Sequence, residues 1–180
     1  AYADSSDSNR QQVTIAKHVE ETASMMRRML QSGTQLQINI PDNAPSIIAD
    51  PSQLRQVLLN LIVNANESLE GAAGTITITL EVSPPNSPEF GHIHHSSNDF
   101  NRNTEHVAIS IRDTGVGLSR TATAQIFDPF FSSKGLSRGL GLSAVLGILD
   151  NHDGAIAIDT SPGQGSTFTV YFPTTTEVAP

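Results

Sequence analysis

Residues 113–142 open with Asp113-Thr-Gly-Val-Gly117 and close with Gly139-Leu-Gly-Leu142. Between these two glycine pairs lies Phe127-Asp-Pro-Phe-Phe-Ser-Ser-Lys134, followed by a short Gly/Ser/Arg segment ending at Arg138. Each glycine pair is a place where backbone can approach a ligand closely. Joined by a loop that carries Lys134 and Arg138, they read as a nucleotide site with a lid, and the rest of the chain reads as its support.

The 180 residues suit a single domain with a real core; 37% are hydrophobic and only 16% charged. Cysteine is absent, so neither disulfides nor a thiolate metal site holds the fold together, which fits a cytoplasmic setting. A net charge of -8 argues against general nucleic-acid binding and against a polybasic membrane surface. No apolar run approaches the roughly 18 residues that span a bilayer, so direct membrane insertion is not expected. The N-terminus has no signal-peptide pattern and no Met, and reads as a cut from something longer.

Along the chain, residues 1–11 read as a polar linker, or the remnant of a preceding helix. A short strand is expected around Val13 to Ile15, then a helix from Ala16 to Gln31 that Gly33 ends, then a strand through Leu36, Ile38 and Ile40. Asp50-Pro51-Ser52 starts a helix running to about Leu69. At about 100° per residue, Leu54, Val57, Leu58, Leu61, Ile62, Ala65 and Leu69 share one face. Asn60, Asn64 and Glu67 form a narrow polar stripe away from its centre. Residues 75–82 alternate as a strand with Ile76, Ile78, Leu80 and Val82 inward, whereas residues 83–105 show no apolar period and read as a long surface loop. Val107, Ile109 and Ile111 mark the strand that delivers Asp113. A short helix over 120–126, a longer one from Leu140 to about Asn151, and a hairpin around residues 161–165 complete the domain, with a frayed tail over 174–180. The expected class is α+β: a two-layer α/β sandwich, with three helices on one face of a mixed, mostly antiparallel sheet of about five strands.

The carboxylate of Asp113 can accept from an exocyclic amine, although an aspartate in a Gly-rich turn is an ordinary feature. Two amides one turn apart, Asn60 and Asn64, can present oxygens to a hydrated Mg²⁺, although a solvated polar face would look similar. The segment Gly139 to Gly141 opens a helix whose free N–H groups and dipole favour phosphate, with Lys134 and Arg138 placed to neutralise it. The chain has only two lysines, which makes Lys134 beside glycines informative. Gly139-Leu-Gly-Leu-Ser-Ala144 also matches a dinucleotide fingerprint, but no buried strand precedes its first glycine. His92, His94, His95 and His106 fall in the polar loop or at its end and read as solvated rather than metal-bound, and His18 as an ordinary helix residue. No nucleophile elbow or Ser/His/Asp set is present.

Together these segments resemble the catalytic ATP-binding domain of bacterial sensor histidine kinases, the Bergerat fold shared with gyrase, Hsp90 and MutL. Asn60-Leu-Ile-Val-Asn64-Ala is similar to the N box, Asp113 to Gly117 to the G1 box, Phe127 to Phe131 to the F box and Gly139 to Leu142 to the G2 box. Ser166-Thr167-Phe168 resembles the closing segment. The resemblance covers about residues 12–173 and implies the following roles. Asp113 binds the adenine amine with Gly115, Gly117 and Thr167 nearby, and Asn64 ligates Mg²⁺ with Asn60 beside it. Lys134, Arg138, Gly139, Leu140, Gly141 and Leu142 hold the phosphates under a lid at 132–138. Asn60, Lys134 and Arg138 assist transfer of the γ-phosphoryl to a histidine. Many members carry a lysine where this chain has Glu67, which throws phosphate neutralisation onto Lys134 and Arg138. The superfamily's ATPases place a general-base Glu where this chain has Asn60. The implied partners are ATP, a dimerising helical hairpin that bears the acceptor histidine, and a response-regulator receiver domain. Nothing in the chain resembles that hairpin, so this chain alone is expected to bind ATP without phosphorylating itself.

Overall fold

The computed structural model describes residues 9–128 and 141–175. A short strand β1 (Gln11–Thr14) runs directly into α1 (Ile15–Met26), which buries Ile15, Val19, Thr22, Ala23 and Met26 at helical spacing. The helix stops short of the expected Gln31. Met29 N bonds to Met26 O at 2.8 Å, tightening the last turn. Gln31 is then spent on the next helix: its N donates to Asn66 Oδ1 and its Nε2 to Asn66 O, both at 3.1 Å. Satisfying those groups outweighs one more turn of α1.

Strand β2 (Thr34–Asn39) follows, then β3 (Ser46–Ala49), which the sequence does not announce. Two isoleucines between Ser46 and Ala49 are too short a pattern, yet β3 pairs antiparallel with β1, and Ile47 also bridges to Thr174. Gln11 therefore lies in a strand rather than in a linker. Thr174 and Thr175 are likewise tied down rather than frayed, since Thr175 N donates to Ser46 O at 3.2 Å.

Helix α2 (Pro51–Ser68) begins where its sequence says it should. Asp50 Oδ1 accepts from Ser52 N at 2.8 Å and Gln53 N at 3.3 Å, and proline occupies the first turn, where no N–H is needed. The main sheet then forms from β2, β4 (Gly74–Ser83), β5 (Ile93–Ser96), β6 (His106–Asp113), β7 (Ala155–Thr160) and β8 (Ser166–Pro173). Among the described residues their order is β2-β4-β6-β8-β7-β5, with only the β2–β4 pair parallel. Two further helices are α3 (Arg120–Gln125) and α4 (Gly141–Asp150). Helices α1, α2 and α4 bury their apolar residues against Ile76, Ile78, Val107, Ile109, Ile111, Phe168, Val170 and Phe172 of the sheet. The two-layer architecture is as expected, although the sheet has six strands rather than five. Val82 is exposed rather than inward, at the end of β4 beyond the helices.

Residues 83–105 are not the expected open loop. A 3₁₀ turn (Pro88–His92) and edge strand β5 fold back onto the face of the sheet that the helices leave free. Phe90 is 2% exposed there, over Ala108, Ala155, Ala157 and Tyr171. Its ring meets Phe100, His106 and Tyr171 edge-on at 5.4–5.5 Å. Burying it stabilises the fold by about 2–3 kcal/mol. Two histidines of this segment bond within the fold. Ile158 N donates to His94 Nδ1 at 3.2 Å, and His95 Nε2 meets Asp150 Oδ1 at 2.7 Å.

Two other imidazoles are fully enclosed. His106 is at 0% exposure, and His152 accepts the Asp50 N–H through Nε2 at 3.0 Å while Nδ1 lies 2.8 Å from Ile148 O. Since Nε2 accepts, the proton of His152 sits on Nδ1 and the ring is neutral. Burial pushes both rings below the ordinary 6.5, only partly offset at His106 by Thr104 O. For His152 the Ile148 carbonyl, Asp50 and Asp153 oppose that shift, while Arg10 adds to it. Above that pH both folded and unfolded chains are neutral and nothing is lost. Below it the unfolded chain takes up protons that the fold refuses, so stability falls by up to about 1.4 kcal/mol per pH unit for each ring. The expected result is a lower Tm at pH 5.5 than at 7.5, with a shallower fall in His152→Gln. A Tm that stays level across that range contradicts the assignment.

Candidate functional site

The last residue of β6 is Asp113, 2% exposed and on the same face as Ile111 and Ile109, beneath the helices. Strand register builds a row there. Thr160 of β7 pairs with Ser166 of β8, and Ile76 of β4 pairs with Asp113, which lies one step beyond the Arg112–Thr167 pair. Thr160, Ser166, Asp113 and Ile76 thus cross the sheet side by side at one end of it.

Register also corrects one expected residue. Thr167 pairs with Arg112, and side chains alternate along a strand, so Thr167 stands on the far face from Asp113. Ser166 is the residue beside the carboxylate, and its N donates to Asp113 Oδ1 at 3.3 Å. The signal was available in the sequence: Phe168 is a core residue, so Ser166, two positions earlier, shares its face.

Gly115 N donates to the same Asp113 Oδ1 at 2.8 Å. Both backbone bonds fall on Oδ1, and Oδ2 takes neither. Burial raises the Asp113 pKa above its ordinary value, against the opposing pull of the Ser68 hydroxyl and of the Gly115 and Ser166 N–H groups. The Ser68 proton has two acceptors in reach, and the 2.7 Å bond to Ala65 O is the one the geometry favours. The result is a desolvated carboxylate with one oxygen fixed and the other able to accept.

The glycines after Asp113 serve the fold before any ligand. A methyl on Gly115 would overlap the Ser68 hydroxyl and carbonyl, and that contact lets Val116 N donate to Ser68 O at 3.0 Å. Gly117 has φ +65°, and a methyl there would run into Ser161 O. Gly163 N donates to Val116 O at 2.7 Å, so the segment is stitched between the end of α2 and the β7–β8 turn.

Along α2 from Ser68, Asn64 lies about one turn back and Asn60 another turn back. Asn64 is half-buried, and its Nδ2 is enclosed with no hydrogen-bond partner among the described residues. A buried amide without a partner costs about 1–3 kcal/mol and marks a place that a ligand or ordered water completes. Asn60 is engaged differently: its Nδ2 donates to Gly141 O at 2.9 Å, tying α2 to the first residue of α4. Gly141 has room for a methyl beside Asn60, at 3.6 Å, so those neighbours do not demand glycine. The side chain of Leu142 is buried in the core, which leaves its backbone as the part that can face a ligand. Glu67, also on the stripe, is half-buried and has a partner. Lys134, Arg138, Gly139, Leu140 and the 132–138 lid lie outside the described residues, as does most of the Phe127 to Phe131 segment. Phe127 itself packs against the main core.

The structure therefore brings Asp113, Ser166, Gly115 and Gly117 together at the C-terminal end of α2, and Asn60 and Gly141 about two turns back near its middle, with Asn64 between them. A buried carboxylate acceptor and the start of α4 lie along one helix. Among the described residues no helix is long and apolar enough to cross a membrane.

Residues 49–176 match the family model described as histidine kinase-, DNA gyrase B-, and HSP90-like ATPase. The chain is 35% identical over 139 residues to the sensor histidine kinase ZraS of Escherichia coli K12, covering 77% of this chain and 25% of that protein. It is 32% identical over 167 residues to the histidine-protein kinase AtoS of the same strain, covering 91% of this chain and 24% of that protein. The chain thus spans about a quarter of the length of these relatives. Among solved structures, full-length ShkA in complex with AMPPNP superposes with a TM-score of 0.73 at 27% identity, over 94% of this chain and 32% of that one.

Proposed function

Because the chain belongs to the histidine kinase-, DNA gyrase B-, and HSP90-like ATPase family, we propose that it is the Mg·ATP-binding catalytic domain of a sensor histidine kinase. The observation that carries this reading is the buried Asp113 carboxylate with Oδ1 fixed by two backbone N–H groups. Oδ2 then accepts from the exocyclic amine of adenine. Asn64 would hold the Mg²⁺ that ATP brings through its side-chain oxygen, and its amide N–H, which has no partner among the described residues, would donate to a phosphate oxygen. The first turn of α4, tied to Asn60, offers N–H groups to phosphate, with Lys134 and Arg138 supplying positive charge. Catalysis then consists of positioning and charge neutralisation. The bond from the γ-phosphorus to the bridging oxygen breaks, a bond to an imidazole nitrogen forms, and ADP leaves. The acceptor imidazole belongs to a helical hairpin of the whole protein, whose other partner is a response-regulator receiver domain. On this reading the domain works on the cytoplasmic side, where ATP is found.

The test of the metal assignment is a titration with ATP, with and without Mg²⁺. Asn64→Ala is expected to weaken Mg·ATP binding about tenfold while leaving metal-free ATP within about twofold, the loss of one ligand contact. Equal weakening in both conditions would place Asn64 in the fold and remove it from the metal site.

A second reading, an ATPase of the same superfamily, is disfavoured by Asn60. Its amide is not a base, and its Nδ2 is committed to Gly141 O. The domain alone should release phosphate from ATP no faster than buffer does. Steady turnover lost in Asn60→Ala would favour the ATPase instead.

A further inference from the structure

Three oxygens meet beside Asp113 and share two hydroxyl protons. Thr160 Oγ1 is 3.1 Å from Gly165 O and 2.9 Å from Ser166 Oγ, and it also accepts from Leu118 N at 2.9 Å. A carbonyl oxygen only accepts, so the proton between Thr160 and Gly165 O is the one on Thr160. That proton is then spent. The proton between Thr160 Oγ1 and Ser166 Oγ must be the serine's own.

The consequence falls on the ligand side of Ser166. With its proton committed to Thr160, Ser166 Oγ presents only lone pairs to whatever lies against Asp113. Thr160, Ser166 and Asp113 form one cross-sheet row, and Ser166 is joined to Asp113 through its own N–H. Two adjacent acceptors, Asp113 Oδ2 and Ser166 Oγ, match the two hydrogens of an amine. They oppose a carbonyl oxygen in the same place, which would need a donor. A serine whose hydroxyl could turn would donate to a carbonyl as readily as it accepts from an amine.

We propose that Thr160 is a specificity-positioning residue: by taking the proton of Ser166 it fixes that hydroxyl as an acceptor, and so selects a 6-amino purine over a 6-oxo purine. The proposal rests on the reading of Asp113 as the group that contacts the base. Thr160 itself touches no ligand. It acts through Ser166, and its bonds to Leu118 N and Gly165 O hold the two flanking segments in the positions this requires.

The experiment is a set of dissociation constants for ATP and inosine triphosphate, measured calorimetrically on wild type, Thr160→Val, Thr160→Ser, Ser166→Ala and the Thr160→Val/Ser166→Ala pair. Wild type should prefer ATP. Thr160→Val, which keeps the shape and removes the hydroxyl, should lower the ATP-to-inosine preference about three- to tenfold, one hydrogen bond's worth. Thr160→Ser should restore it, and in the Ser166→Ala background Thr160→Val should change the preference no further. A purely structural role for Thr160 would weaken both nucleotides equally and leave their ratio unchanged, which overturns the proposal. If Thr160→Val does not fold, Ser166→Ala carries the test, because it leaves the Leu118 and Gly165 bonds in place. An unchanged ratio there overturns the proposal equally. Failure of the base-reading premise looks different: Asp113→Asn would then bind ATP as wild type does.

Discussion

Asp113→Asn should lose ATP and gain stability. Oδ1 of the asparagine still accepts from Gly115 and Ser166 N–H, so the loop keeps its shape. The other position becomes an NH₂, which meets the amine of adenine donor against donor. Loss of a bond to a charged acceptor and its replacement by a mismatch should weaken ATP by about 2–3 kcal/mol, a rise in Kd of about 30- to 150-fold. The stability effect has the opposite sign. Burial holds the folded pKa of Asp113 above the unfolded one, so the stabilisation belongs to the protonated form. It is present below the ordinary 3.8 and lost as pH rises through the folded value, leaving the ionised group as a cost at neutral pH. Asparagine never ionises, and the empty variant should melt higher than wild type at pH 7.5. A variant that melts lower and binds ATP unchanged would contradict both the site and its electrostatics.

Gly117→Ala should be one of the two most damaging single methyls among the described glycines, beside Gly165→Ala, whose added carbon would meet Asp113 O. At φ +65° a side chain costs about 1–2 kcal/mol, and here the added carbon also meets the Ser161 carbonyl. Backbone has no rotamer to escape into, so overpacking adds about 1–3 kcal/mol more. Relief requires the segment after Asp113 to leave the β7–β8 turn, breaking the Gly163 N to Val116 O bond of 2.7 Å. The expected loss of about 2–5 kcal/mol should appear in urea melts as a large fall in midpoint, together with weaker ATP binding in whatever remains folded. Gly163→Ala is the control. It also has positive φ, at +75°, but nothing lies within 4 Å of the added methyl. It should lose only the backbone part, and equal losses in the two variants would show that the close approach to Ser161 carries no energy.

The sequence makes α2 legible because its pattern is long. Asp50 and Pro51 mark one end, and the apolar positions from Leu54 to Ala65 leave no competing period. Asp113 is legible for a related reason: an alternating strand ends there in a turn that needs glycine. The errors share a different cause, the placement of short polar segments by tertiary contacts. β3 exists because β1 lies beside it, and the segment over residues 83–105 is ordered by Phe90 entering a surface of alanines, with Phe100 packed against its ring. Two aromatics ten residues apart in a polar run carry no period. The displacement of Thr167 by Ser166 is of another kind, because the alternation from Phe168 already decides it. The early end of α1 follows from the claim of α2 on Gln31, a contact across 35 positions.

On the proposed function, this domain delivers the γ-phosphoryl of ATP to a histidine carried elsewhere. The direct measurement is incubation with Mg²⁺ and γ-labelled ATP, with and without a separately produced helical hairpin bearing the acceptor histidine. The expected result is acid-labile, base-stable label on the hairpin, none without the hairpin, and none with Asp113→Asn. Label on any of the six histidines of this chain, or free phosphate released without the hairpin, would contradict it.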